Sequence, residues 1–229
     1  NTVAEVGLLK MDFLGLSNLS ILGRTCELIK STHDIEIDLK TIPLDDPKTF
    51  ELLCSGETTG LFQLEGAGMR RWIKQLKPEN IQEISAMIAL YRPGPMEHIP
   101  RFIDAKFGRI PITYPHEDLA ELLSETYGVI VYQDQVLKIA QKFAGYTLGQ
   151  ADIVRKAMGK KILSIMSEER DGFIKGASKQ GYSDNEATAV FDLIEPFAGY
   201  AFNKAHSVSY AYIAYQTAFL KANYPTEYL

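Results

Sequence analysis

The sequence predicts a mainly α chain with a few short strands, and three observations carry that expectation. Apolar residues at helical spacing, broken by glycine and proline, mark six helical segments between residues 117 and 222. Helix-start chemistry stands at two points: Pro78 followed by Glu79 and Glu83, and Ser183 three residues before Glu186, the spacing of a capping box. The runs short enough for strands are residues 6–13 and 61–64.

In chain order, residues 6–13 form an apolar run with Lys10 and Asp12 inside it, and Gly15 and Ser17 break it. A helix is expected at 18–30, a loop between Pro43 and Pro47, a short helix at 48–54 and another break from Gly56 to Gly60. Pro78 opens a helix that runs to about residue 89, where Arg92-Pro93-Gly94-Pro95 ends it. The stretch from there to Pro115 holds five prolines, yet Ile99, Phe102, Ile103 and Phe107 anchor it, so it reads as an ordered crossing and not as a linker. Helices follow at 117–124, 133–143, 148–158, 162–179, 185–197 and 207–222. Phe143-Ala144-Gly145-Tyr146 and Phe197-Ala198-Gly199-Tyr200 echo one another, and the plain reading is a shared way of ending a helix on a left-handed glycine.

With 229 residues, 46% of them hydrophobic, the chain is long enough to bury a real core. A net charge of -5 gives no global reason to expect a nucleic-acid partner, so any such site must be local. Cys26 and Cys54 are far apart and form no C-x-x-C pair, which argues against a disulfide or zinc framework. The chain opens on Asn1 with no basic and apolar leader, and the last apolar stretch, 208–220, is 13 residues, short of the ~20 that cross a bilayer. Both ends read as internal to something longer.

Four places can carry chemistry. Asp12 lies in an apolar run, where an ionised carboxylate needs a cap, a partner or a metal; one carboxylate is too few for a two-metal site, and a helix cap is the plain alternative. Arg155, Lys156, Lys160 and Lys161 put four cations within seven residues, suited to a polyphosphate or a DNA backbone or, more plainly, to a solvated helix end. No Walker A pattern accompanies them. Tyr200, Asn203, Lys204 and His206 crowd the mouth of the last helix, where a ring can stack on a base and free N–H groups can hold phosphate, although a histidine such as His206 is more often a plain capping or core residue. Arg92 stands on a rigid turn, where an exposed arginine is the default.

Six blocks in order, Lys10-Met11-Asp12-Phe13-Leu14-Gly15-Leu16, Glu57-Thr58-Thr59-Gly60-Leu61-Phe62-Gln63-Leu64-Glu65, Tyr91-Arg92-Pro93-Gly94-Pro95, Gly128-Val129-Ile130-Val131-Tyr132-Gln133, Arg155-Lys156-Ala157-Met158-Gly159-Lys160-Lys161 and Phe202-Asn203-Lys204-Ala205-His206-Ser207, resemble the alpha subunit of bacterial DNA polymerase III, a family C replicative polymerase. The resemblance covers essentially the whole chain.

It implies that residues 1–24 are the end of a palm similar to the polymerase beta-like nucleotidyltransferases and that 25–229 are a helical fingers domain, cut at its C-terminal end. Asp12 then matches the third of three palm aspartates that hold two magnesium ions; the Asp-x-Asp pair that would supply the other two is not in the chain. The implied partners are primer-template DNA, a dNTP, the rest of the alpha chain and, through regions absent here, the sliding clamp and other holoenzyme subunits, in the bacterial cytoplasm and with no membrane. Arg155, Lys156 and Lys160 are expected to neutralise the triphosphate, Tyr200 to stack near the nascent base pair, and Asn203, Lys204 and His206 to line the same pocket, with Arg92 touching template or nucleotide. The segment alone is expected to be inactive. A helical interaction module that binds no nucleotide is the alternative from another class.

Overall fold

The computed structural model of the chain describes residues 6–8, 11, 15–153, 163–198 and 200–229. Among them the regular structure is helical, and the one strand-like pairing is an isolated parallel bridge between Tyr132 and Phe202. Helix α1, Ser17–His33, buries Leu22, Thr25 and Ile29 and stops at Asp34, which takes the left-handed conformation. Helix α2, Pro47–Ser55, begins on proline and is capped by Asp46, whose carboxylate accepts from the N–H and the hydroxyl of Thr49 at 2.9 and 2.6 Å. Helix α3, Ala67–Leu76, buries Met69, Ile73 and Leu76, one stripe at helical spacing.

Helix α4, Ile81–Leu90, is buried at every position except Gln82, which makes it the spine of the first core. A 3-10 turn, Pro95–His98, leads into α5, Ile99–Lys106. The long helix α10, Lys204–Asn223, packs along α4 and α2, and α11, Pro225–Tyr228, closes against α1. Together they enclose Ile29, Leu53, Ile73, Ile84, Phe102 and Tyr215.

The second core belongs to the middle of the chain. The 3-10 turn Glu117–Leu119, helix α6 Ala120–Leu123 and the 3-10 turn Ser124–Thr126 lead to α7, Gln133–Ala144, and this group packs with α8, Leu163–Lys179, and α9, Asp184–Ala198. Leu119, Ile139, Phe143, Phe173, Phe191 and Ile194 fill it. Gly176 sets the closest approach, because a Cβ there would strike the Ala144 carbonyl at the end of α7.

Between the cores run two extended segments. Along 129–131 the side chains alternate, Val129 and Val131 into the first core and Ile130 into the second, as the period of an extended chain requires. The Phe202 N–H donates to the Val131 carbonyl and the Gln133 N–H to the Phe202 carbonyl, each at 2.9 Å. Ala201 reaches the second core while Phe202 packs on the first.

Several expectations need correction. Val6 and Gly7 form a turn, and the remainder of the 6–13 strand lies largely outside the described residues. Residues 61–64 are not a strand: the Leu61 and Leu64 N–H groups close successive turns on Thr58 and Leu61, and the Phe62 N–H goes to the Thr217 hydroxyl at 3.2 Å. With Leu61, Phe62 and Leu64 all buried, the run is apolar because it plugs the core. The helix expected at Pro78 begins three residues later, since Asn80 supplies the cap, accepting from the Glu83 N–H at 2.9 Å. Helix α3 was not expected, α5 lies in the stretch read as a crossing, and 117–124 is two 3-10 turns around one helical turn. Residues 148–153 of the 148–158 helix are helical and the rest lies outside the described residues. The capping box holds, with Ser183 and Glu186 bonded reciprocally.

One buried ion pair braces the first core. Glu83 and Lys106 meet at 2.9 Å with side chains 2% and 5% exposed, and the carboxylate also accepts from the Glu79 N–H at 2.8 Å and the Tyr127 hydroxyl at 2.5 Å. Lys106 gives a second bond to the Lys77 carbonyl at 2.7 Å. Burial, with the bond to Glu83 adding, pushes the Tyr127 phenol well above its ordinary pKa. Lys106→Met leaves a buried carboxylate without its counter-ion and is expected to cost about 3 to 5 kcal/mol in urea unfolding, part of it recovered when Glu83→Gln is added, which removes the charge and keeps one acceptor oxygen for the Glu79 N–H and Tyr127 donors. A cost below about 1 kcal/mol would show that the pair is not desolvated.

Candidate functional site

The site is built where the extended seam feeds α10. Asn203 is the N-cap: its side chain accepts from the His206 N–H at 2.9 Å, so the helix mouth is ordered while the first N–H groups of α10 remain outside the intrahelical ladder. The positive end of a 20-residue helix therefore faces outward at Asn203 and His206, both exposed.

Beneath the mouth lies a one-way chain of hydroxyls. Ser207 donates to the Lys204 carbonyl at 3.1 Å, so in its 2.9 Å contact with Ser85 it must accept. Ser85 thereby spends its proton and must accept from the Tyr132 hydroxyl at 3.0 Å. Tyr132, Ser85 and Ser207 are buried, and the chain ties the seam, α4 and α10 to one geometry. Gln135 completes the register: its Oε1 accepts from the N–H groups of Val131 and Tyr132 at 2.9 and 3.0 Å, and its amide donates to Thr126 at 2.8 Å.

A ladder of rings runs from the first core to the helix mouth. Phe62 and Tyr210 stand 5.1 Å apart between centroids, Tyr210 and His206 4.2 Å, and His206 and Phe202 5.5 Å. The Arg92 guanidinium closes the ladder 4.3 Å over Phe202. Arg92 also donates from Nε to the Ala89 carbonyl at 2.8 Å and from Nη2 to the Tyr200 carbonyl at 2.7 Å. Burial lowers its pKa. Tyr200 itself is 42% exposed, with its ring lying against Gly94.

Of the residues singled out in the sequence, Arg92, Tyr200, Asn203 and His206 therefore come together. Lys204 lies at the same helix start but is engaged elsewhere, 2.6 Å from the Glu125 carboxylate and 5.4 Å over the Tyr132 ring. It lines a cavity of about 190 Å³ with Glu121, Glu125, Asp134 and Lys138. Asp12, Arg155, Lys156 and Lys160 lie outside the described residues. Among the described residues no three metal-capable side chains converge. Sequence reading did not single out Phe62, Phe202, Tyr210, Gly94 and Glu125; Phe202, Gly94 and Phe62 stood inside the quoted blocks, whereas Glu125 had no local signal.

The chain matches the family model described as the bacterial DNA polymerase III alpha subunit finger domain over residues 18–181. It is 52% identical over 225 residues to the DNA polymerase III subunit alpha of Bacillus subtilis (strain 168), covering 98% of this chain and 20% of that one. To the same subunit of Thermus aquaticus it is 48% identical over 232 residues, covering 99% and 19%, and to that of Aquifex aeolicus 50% over 226 residues, covering 98% and 20%. The chain thus spans about a fifth of the length of these relatives.

Two outcomes test this geometry. Asn203→Ala removes the cap and is expected to lower stability by about 1 kcal/mol in denaturant unfolding, whereas Asn203→Asp, which keeps an acceptor there, is expected to retain most of it. Burial, with the Glu125 charge adding, raises the Tyr132 phenol to about 12. A raised folded value favours the native state below the unfolded phenol pKa of about 10, and that contribution fades as pH rises through about 12. Unfolding free energies measured from pH 9 to 12 should therefore fall less steeply for Tyr132→Phe than for wild type; equal slopes would show that the phenol is not held in a buried site.

Proposed function

The chain belongs to the bacterial DNA polymerase III alpha subunits, whose finger domain it carries, and from that premise we propose that within the complete polymerase it binds and orients the incoming dNTP for template-directed addition to a primer 3′-hydroxyl. The observation that carries the reading is 52% identity over 98% of the chain. Residues 1–24 are the end of the palm and 25–229 the fingers. Primer-template DNA and the dNTP are the substrates, the sliding clamp and other holoenzyme subunits are partners of the longer chain, and the bacterial cytoplasm is the site of action. No described helix is long and apolar enough to cross a membrane.

The roles divide by chemistry. Arg155, Lys156 and Lys160 neutralise the triphosphate, whose charge spreads over its oxygens as the α-phosphate is attacked. Tyr200 offers an exposed ring against the nascent base pair, a stacking role that needs no base-specific hydrogen bond. Asn203 and His206 border it at the positive end of α10, which suits an anionic ligand. Lys204 reaches such a ligand only by leaving Glu125. Asp12 is the one proposed magnesium ligand of this chain, and the two ions, when bound with the remaining palm carboxylates, supply charge neutralisation that these side chains do not.

The test is primer extension by the full-length polymerase. Arg155→Ala with Lys160→Ala is expected to lower kcat/KM for dNTP about a hundredfold, the cost of losing preorganised charge at the reacting phosphates. Asp12→Asn is expected to abolish extension in a folded protein. Unchanged kinetics in both variants would favour a helical scaffold that binds no nucleotide.

A further inference from the structure

Arg92 sits where a contact with template or nucleotide would be expected, but two of its donors are bound to backbone carbonyls. Nε is spent on the Ala89 carbonyl at 2.8 Å and Nη2 on the Tyr200 carbonyl at 2.7 Å, while the guanidinium plane covers Phe202 at 4.3 Å. Only an arginine can serve two carbonyls and a ring face from one planar fork. Two residues further on, Gly94 has φ +98, and a Cβ built there would lie 3.0 Å from Tyr200 Cε1 and 3.1 Å from Cδ1. The turn is therefore a seat: its arginine grips the Tyr200–Phe202 backbone and its glycine leaves room for the Tyr200 ring. It joins segments 108 residues apart, one closing α4 and the other opening onto α10.

We infer that Arg92 is a positioning residue for nucleotide binding, acting through Tyr200 and Phe202 and not by touching the nucleotide. The inference rests on the nucleotide reading of the Tyr200 site. Its contribution belongs to the free energy of holding the ring in place before the dNTP arrives, since an unanchored Tyr200 must be ordered at the moment of binding. Loss of the grip therefore weakens nucleotide binding more than it slows the chemical step, and a purely structural role would not separate the two. His206 shares the effect, because its ring packs at a tilt against Phe202, the ring that the guanidinium covers.

The experiment uses the full-length alpha subunit with a single 3-fluorotyrosine at position 200. Arg92→Lys keeps the charge and loses the fork. It is expected to shift or broaden the fluorine resonance and to raise KM for dNTP about tenfold while kcat changes less than about threefold. Phe202→Leu removes the ring face without touching either hydrogen bond, so it should move both readouts in the same direction by less, and it keeps the question open to test if Arg92→Lys does not fold. The inference is overturned if Tyr200→Ala raises KM but Arg92→Lys and Phe202→Leu leave it unchanged, whatever the resonance does. If Tyr200→Ala itself leaves KM unchanged, the nucleotide reading of the site falls, and the positioning role falls with it.

Discussion

The constraint on which the rest of the structure depends is the register of two short extended segments, 129–132 and 201–203, that meet between two hydrophobic cores. Their pairing amounts to two backbone hydrogen bonds, at 2.9 Å each, worth about 1 kcal/mol apiece net of solvent. So small a ladder cannot hold its own register. What fixes it is the alternation of Val129, Ile130 and Val131 between cores, because a slip of one residue would exchange every buried face. Since the two segments run parallel, α7 and α10 both begin at the same end of the pair, and the register also decides where both helices start.

Buried polar groups reinforce that choice by making alternatives expensive. Gln135 satisfies the Val131 and Tyr132 N–H groups, and the hydroxyl chain through Ser85 consumes one proton at each step in one direction. A shifted register would strand several of these groups without partners, at about 1 to 3 kcal/mol each, more than the two ladder bonds supply. Glu83 and Lys106 apply the same logic inside the first core, joining α4 to α5 through a carboxylate that also holds Tyr127. The polar interior thus selects one arrangement among the many that apolar burial would permit.

How much of this was legible depends on whether the signal was local. The spans of α1, α2, α7, α8 and α9 could be read to within a few residues from spacing and breaks, and Ser183 with Glu186 announced its helix start. Helix α3 carried a readable stripe in Met69, Ile73 and Leu76, obscured by Gly66 before it, Gly68 inside it and the cations between. Helix α5 was hidden because Pro100 near its first turn resembles loop punctuation although that position tolerates proline. The strand expected at 61–64 failed because an apolar tetrapeptide can plug a core from a turn as well as pair in a sheet. Within the site, Tyr200, Asn203 and His206 were found from one helix mouth, while the grip of Arg92 on Tyr200 and of Glu125 on Lys204 depends on contacts 108 and 79 residues long, which no window of sequence contains.

Those two long contacts also explain how one helix mouth takes its position from both halves of the fold. Through Arg92, which closes α4, the segment before α10 is referred to the first core; through Glu125, beside α6, the first residue of α10 is referred to the second. The contacts differ in kind. Arg92 is half-buried and bonded to two backbone carbonyls, which carry no charge to be exchanged. Lys204 and Glu125 form a partly solvated side-chain pair, weakly worth keeping and open to exchange for a more strongly charged ligand. The site is therefore rigid on the side that carries the aromatic ladder and adjustable on the side that carries the lysine, an asymmetry that follows from which partner of each contact is backbone and which is solvent-exposed charge.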